Sequence, residues 1–156
     1  MPVPLFEQAG CPFYYFIELE NEALADGQCL HTATVAVSLS CWHVFHAKAT
    51  RWYLSVVATA RGLHTCSITE IGFLRVSVVT GLQPDIATAK QALDALKSSS
   101  KIRFELIPDD VGVANLPVWV KKPQAITHGH LSELARKNSM RLVTFDQSIP
   151  NALCIG

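Results

Sequence analysis

The acid best placed for chemistry is Asp146, which directly follows the compact apolar segment Leu142–Phe145. This segment predicts a short buried strand. The residues from Thr127 to Asn138 before it have helical spacing, with Thr127 as the N-cap. In open α/β sheets, ligands bind beyond the carboxyl ends of the strands. Chemistry is therefore expected at Asp146; the alternative is an aspartate that only caps a turn.

Other acids also lie near the ends of predicted elements. Residues 67–70 fit a capping box, in which Ser67 is the N-cap and Glu70 is its reciprocal partner. Asp109 and Asp110 follow a predicted strand and form a Pro-Asp-Asp turn. These two carboxylates could contribute to a site, although a turn of this kind needs no function.

The elements that must position these acids alternate along the chain. The predicted strands are Thr34–Val37, His64–Cys66, Ile102–Leu106 and Leu142–Phe145, and the predicted helices begin near His46, Ser67, Asp85 and Thr127. A chain in which strands alternate with helices from Cys29 onwards predicts an α/β fold with a parallel sheet.

Residues 1–28 are harder to interpret. The cluster Phe13–Ile17 is apolar and strand-like, whereas the acidic segment Glu18–Asp26 could be helical. The two segments could form an added edge strand followed by a helix, or an extension docked on the surface. Both alternatives remain open at this point.

The composition is apolar and electrically balanced. Of the 156 residues, 49% are hydrophobic and 17% are charged, and the net charge is zero. A chain of this length predicts one domain, and this apolar content predicts that a partner covers part of its surface. A neutral chain has no general attraction for nucleic acid, so RNA binding would need a local basic patch.

The cysteines and the apolar segments indicate a cytoplasmic protein. The five cysteines are scattered and form no CxxC pair, which is typical of reduced thiols in the cytosol. No basic leader precedes an apolar stretch, so a signal peptide is not expected. The longest uncharged run, Cys29–Ala47, contains His, Ser and Thr, so it is interpreted as core rather than as a membrane span.

Three segments together resemble the PIN-domain family, and within it the VapC-type toxin ribonucleases. Ser67–Val76 resembles the strand-to-helix segment that holds the family's second acid. Thr127–Leu131 with Leu142–Asp146 resembles the family's "TDAHL…LATFD". Trp42–Ala49 is similar to the His-rich start of its second helix. The resemblance implies a PIN-like three-layer α/β/α sandwich with a central, mainly parallel sheet over residues 29–156, and residues 1–28 as an extension.

The resemblance also implies a metal site built from carboxylates. PIN domains collect three or four acids that bind Mg²⁺ or Mn²⁺. Glu70 and Asp146 occupy two of these positions and are the expected metal ligands. Thr32 stands where the first strand carries an acid, or His31 if the register shifts by one, and His128 stands in the third position. The catalytic residues Thr32, Glu70, His128 and Asp146 are expected to converge in one pocket, with His128 uncharged.

The function implied by the resemblance is that of an endoribonuclease toxin, with RNA as substrate, a cognate antitoxin as partner and a homodimer as a further expectation. Two of the four acids are missing, which predicts weakened catalysis. One alternative is a degenerate PIN domain that only binds or oligomerises. Another is a rebuilt site in which His31 and His128 join the two acids around Mn²⁺ or Zn²⁺, since imidazole suits those metals.

Overall fold

The computed structural model describes residues 15–18, 46–58, 62–99 and 104–155. Its helices are α1 (His46–Ala58), α2 (Ser67–Val79), α3 (Ile86–Ser99) and α4 (Ile126–Lys137), and its strands are β1 (Tyr15–Glu18), β2 (Leu63–Thr65), β3 (Phe104–Leu106), β4 (Met140–Thr144) and β5 (Leu153–Cys154). Single 3₁₀ turns lie at Val113–Asn115 and Pro123–Ala125. This alternation confirms the predicted α/β class. The predicted strand Thr34–Val37 lies outside the described residues.

The five strands form one sheet in the order β3-β2-β1-β4-β5. The pairs β2–β3 and β4–β5 are parallel, whereas β1 is antiparallel to both of its neighbours, β2 and β4. The four strands other than β1 therefore run in the same direction. Because β1 lies in the middle of the sheet, the alternative of an added edge strand in this region was wrong. An interior strand is bonded on both sides, and the aromatic and β-branched sequence of β1 suits that position.

The register of β1 aligns the strands on either side of it. Phe16 faces His64 on β2 and Leu142 on β4. The last residues of these strands, Thr65 and Thr144, therefore lie at the same edge of the sheet. We call this the carboxyl edge, because β2, β3, β4 and β5 all end there.

The core lies between the sheet and the helices that cover it. Leu131 and Leu134 of α4 are fully buried, as are Leu63 of β2 and Val143 of β4. Burying one such side chain stabilises the fold by about 1.5–3 kcal/mol. The apolar stripe of α4 thus fixes this helix, and the residues at its start, against β4.

Two helices begin at residues other than those predicted. Cys66 is the N-cap of α2, and its N–H donates to Thr69 Oγ1 at 3.0 Å, so the expected cap at Ser67 was wrong by one residue. Helix α4 begins at Ile126, because the 3₁₀ turn before it already brings Ala125 into a helical conformation. Thr127 therefore lies inside the first turn, and its predicted role as N-cap was also wrong.

The loop that follows β3 packs closely on α4. Gly129 is buried in this helix, and a Cβ atom at its position would overlap Val120 Cγ2 and lie 3.2 Å from Pro117 Cδ. Glycine is therefore required for this close approach. In the part of the chain that the structure describes, no helix combines the length and the apolar character needed to cross a membrane.

Candidate active site at the carboxyl edge

Glu70 is held at the carboxyl end of β2. It lies in the first turn of α2, and its Oε1 atom accepts a hydrogen bond from Thr65 Oγ1 at 2.5 Å. The same oxygen accepts a second hydrogen bond from Lys97 Nζ, also at 2.5 Å. The reciprocal capping bond expected of Glu70 is made by Thr69 instead. Capping therefore does not explain the acid at position 70.

Asp146 is held at the carboxyl end of β4. Its backbone N–H donates to Thr144 Oγ1 at 2.9 Å, and its Oδ1 atom accepts the Ser148 N–H at 2.8 Å. The second carboxylate oxygen, Oδ2, lies 3.2 Å from His128 Nδ1. Asp146 thus caps a turn, as the alternative interpretation held, and it also pairs with the imidazole of His128.

His128 is uncharged near neutral pH in this environment. Burial lowers the pKa of His128, and the charge of Asp146 offsets only part of that effect. For Asp146, burial acts to raise the pKa. The hydrogen bonds from Ser148, and the charge that His128 carries at the low pH where Asp146 titrates, lower this pKa overall. A neutral imidazole held by a carboxylate can take up or release a proton. The pair therefore places a proton-carrying group at the start of α4.

The four predicted site residues are brought together only in part. His128 and Asp146 are in contact, and Glu70 lies at the same edge of the sheet. The strands that hold the two acids are separated by β1 alone, which corresponds to about 10 Å between their backbones. Thr32 and the alternative His31 lie outside the described residues. Whether Thr32 joins the other three remains a prediction.

Asp109 and Asp110 hold the loop after β3 against α4. Asp109 Oδ1 lies 2.6 Å from His130 Nε2, and Asp110 Oδ2 lies 2.6 Å from Lys137 Nζ. His130 and Lys137 are two turns apart on the helix, so the two pairs fix the loop at two points. Both acids therefore have a positional role in the fold.

Comparison with curated proteins finds several bacterial relatives. Ribonuclease VapC38 of Mycobacterium tuberculosis (strain ATCC 25618 / H37Rv) is 37% identical over 112 residues, which cover 69% of this chain and 76% of the relative. Ribonuclease VapC39 of the same strain is 31% identical over 119 residues, which cover 73% of this chain and 84% of the relative. Ribonuclease VapC44, also of this strain, is 31% identical over 112 residues, which cover 69% of this chain and 77% of the relative.

The chain belongs to the VapC family of PIN-domain toxins. This assignment confirms the resemblance seen in the sequence, and it brings the PIN-type α/β fold with it. No family model matches the chain, and no solved structure matches it. The family name therefore rests on the similarity to these three ribonucleases.

The described residues supply only part of a VapC metal site. Carboxylate oxygens are the ligands that Mg²⁺ and Mn²⁺ prefer, and Glu70 and Asp146 have them. Among the residues that the structure describes, however, no group of three or more His, Cys, Asp or Glu side chains could hold a metal ion. The chemical type of these two donors fits a hard cation, and the two described carboxylates alone are too few for a strong site.

Sequence reasoning missed Lys97 as a residue of this site. It lies in the last turn of α3, and only the packing of α3 on α2 brings its ammonium group to Glu70. The amphipathic pattern of α3 predicts a helix but does not specify which residue its last turn will meet. No local signal in the sequence could have identified this contact.

Proposed function

We propose that this VapC-family chain is the endoribonuclease toxin of a type II toxin–antitoxin pair, acting in the cytoplasm with weakened, divalent-metal-dependent catalysis. The observation that carries the proposal is the placement of the two retained acids. Glu70 is anchored to Thr65 and Asp146 to Thr144, at the same edge of one sheet. In α/β proteins with an open sheet, ligands bind beyond the carboxyl ends of the strands.

Glu70 and Asp146 are the residues that would hold Mg²⁺ or Mn²⁺. The cation would lower the pKa of a bound water and neutralise charge that develops on the phosphodiester. Lys97 already neutralises Glu70, and His128 replaces a carboxylate that the family places beside Asp146. Both features reduce the negative charge available to a cation, which is the reason for weakened catalysis.

Cleavage of RNA by the purified full chain tests this function. The assay should compare added Mg²⁺ with added Mn²⁺, over a range of concentrations of each cation. Glu70→Gln and Asp146→Asn should each lower the rate at least about a hundredfold, because each removes half of the retained carboxylates. Asp94→Asn is the matched control, since Asp94 is an exposed acid on α3. Cleavage that survives both site substitutions would contradict the proposal.

A second candidate is a VapC-like domain that has lost catalysis and only binds partners. The ion pair between Lys97 and Glu70 favours it, because this acid is already satisfied without a metal. Intact protein that forms a stable complex with its antitoxin, yet cuts no RNA at any concentration of Mg²⁺ or Mn²⁺, would support this candidate over the first.

The proposal includes two protein partners, a cognate antitoxin and a second copy of the chain. Ile68, Ile71 and Val79 are exposed apolar side chains on α2, and a partner that covers them would remove this apolar surface from water. Light scattering should detect a dimer of the chain alone or a complex with its cognate antitoxin. A soluble monomer under both conditions would contradict the expected association.

A further inference from the structure

A basic pocket lies on one face of α1, apart from the acids of the candidate active site. Lys48, Arg51, Trp52 and Ser55 follow the helical spacing of three, four and seven residues, so their side chains share one face of the helix. Ile155, near the end of the chain, completes the wall. We call this the α1 pocket.

The described residues that line the α1 pocket carry only positive charge. Lys48 and Arg51 are both exposed, and neither forms an ion pair with any residue that the structure describes. Among the residues that the structure describes around the pocket, none is acidic. Because the whole chain has no net charge, two unpaired cations one helical turn apart form a local concentration of positive charge.

Trp52 also lines this pocket, and its indole ring carries a buried hydrogen-bond donor. Its side chain is only 8% exposed and belongs to the main core. The indole Nε1–H finds no acceptor among the described residues. Buried donors nearly always have a partner in native structures. An acceptor oxygen brought by a bound group would satisfy this donor, whereas another cation would not.

The α1 pocket also lies beside the carboxyl edge. The backbone N–H of Ile155 donates to the carbonyl oxygen of Thr144 at 3.0 Å. Thr144 is the residue whose hydroxyl group accepts the N–H of Asp146. One wall of the pocket is therefore bonded directly to the strand end that carries a retained acid.

We propose that the α1 pocket binds a backbone phosphate of the RNA substrate, at a nucleotide other than the one held at Glu70 and Asp146. This inference rests on the proposed ribonuclease function. A phosphate offers only acceptor oxygens and negative charge, which complement Lys48, Arg51 and the indole N–H of Trp52. The position of the pocket beside Asp146 favours RNA over an acidic peptide. An RNA strand held at Glu70 and Asp146 would extend beyond the carboxyl edge, and the α1 pocket lies next to that edge.

The test measures binding without cleavage. A short, fluorescein-labelled single-stranded RNA is titrated with the full chain in EDTA, and its anisotropy is followed at several KCl concentrations. The variant Lys48→Gln/Arg51→Gln should bind roughly tenfold more weakly. The slope of log K against log salt should fall by roughly 0.7, because the pocket holds one phosphate and each phosphate neutralised on a single strand contributes about that much. The control variant Arg75→Gln/Lys90→Gln loses the same charge from exposed positions on α2 and α3 and should match the wild type.

Each other outcome overturns the inference in a distinguishable way. If the wild type binds and cuts RNA but the pocket variant matches it in affinity and salt slope, the pocket proposal fails and the ribonuclease proposal stands. If the pocket variant and the control weaken binding equally, only total charge matters, and the pocket proposal again fails. If the wild type ignores RNA but binds polyglutamate through Lys48 and Arg51, the pocket takes an acidic peptide. If it neither binds nor cuts RNA, both proposals fail.

Discussion

Lys97 Nζ lies 2.5 Å from Oε1 of Glu70, so the acid that would bind a metal ion already binds a cation supplied by the chain itself. Both side chains are about three-quarters buried, with 24% and 22% of their surface exposed. A divalent ion that uses this oxygen must therefore compete with an ammonium group that is tethered beside it. The strength of metal binding should depend on a residue that is not a metal ligand.

Removing this tethered cation should strengthen metal binding. Lys97→Gln should raise the affinity for Mn²⁺ roughly fivefold, which corresponds to about 1 kcal/mol for a partly exposed ion pair. The measurement is isothermal titration calorimetry with Mn²⁺. Lys90→Gln is the control, because Lys90 is exposed on the same helix. An unchanged affinity in Lys97→Gln would indicate that Glu70 is not a ligand.

Restoring the missing carboxylates should restore a metal site. His128→Asp together with Thr32→Asp would supply acids at both positions where the family pattern has them. Each variant carboxylate adds negative charge for a hard cation, and the one at position 128 stands in the first turn of α4, where the helix dipole favours an anion. The double variant should melt at a higher temperature when Mg²⁺ is added, and it should cut RNA faster than the wild type.

The His128→Asp variant alone serves as an internal check. Its new carboxylate would lie beside Asp146, so the fold should be less stable in EDTA than the wild type and recover on addition of Mg²⁺. If neither variant responds to Mg²⁺, the assigned register of the site residues is wrong.

Stability should fall as the pH drops below about 6.5, the ordinary pKa of histidine. Burial lowers the pKa of His128 in the folded protein, so the unfolded chain takes up this proton first as the pH falls. The stability contributed by the neutral imidazole is complete above about pH 6.5 and is lost between that value and the lower folded pKa. Asp146, whose pKa is lowered too, adds a similar loss only below about pH 3.9.

Urea denaturation of the wild type and of His128→Asn isolates this effect. The free energy of unfolding should fall less in the variant than in the wild type between about pH 7.5 and about pH 5.5. Equal losses in the two proteins would assign the pH dependence to other histidines. A ring-proton titration of His128 by NMR reports its pKa directly.

The close contact between α4 and the loop before it should make Gly129 hard to replace. Gly129→Ala should destabilise the fold by about 1–3 kcal/mol, because the added methyl group overlaps Val120 in a packed region. Adding Val120→Ala should recover much of that loss, since it removes the overlapping side chain. Gly112→Ala is the control, because nothing lies within 4 Å of a Cβ atom there. Thermal melts followed by circular dichroism measure all three.

Local patterns in the sequence were sufficient to locate the acids but not to describe their surroundings. An apolar run followed directly by Asp146 predicts a strand end, and β4 ends two residues before that acid. Glu70 is located by its resemblance to the family segment. Its partner Lys97 depends on how two helices pack, which is a non-local property. The start of α2 was misplaced because a buried cysteine, a weak capping residue by type, holds the N-cap position.

Local sequence patterns also could not predict the position of β1 within the sheet. Its apolar sequence correctly predicts a strand, but an edge strand and a central strand of four residues have similar compositions. Its position is decided by pairing with β2 and β4, which are distant along the chain. The same limit applies to the α1 pocket, because Ile155 meets Lys48 and Arg51 only in the folded chain.

The position of β1 has a consequence for the order of events during synthesis. This strand ends at Glu18, yet one of its two neighbours, β4, does not begin until Met140. Contacts between such distant segments form slowly, and on the ribosome they cannot form until both segments have emerged. Among the described strands, β1 alone joins β2 and β3 to β4 and β5. The nascent chain therefore cannot close its sheet until β4 has been synthesised, and only then do Glu70 and Asp146 come to lie at the same edge of one sheet.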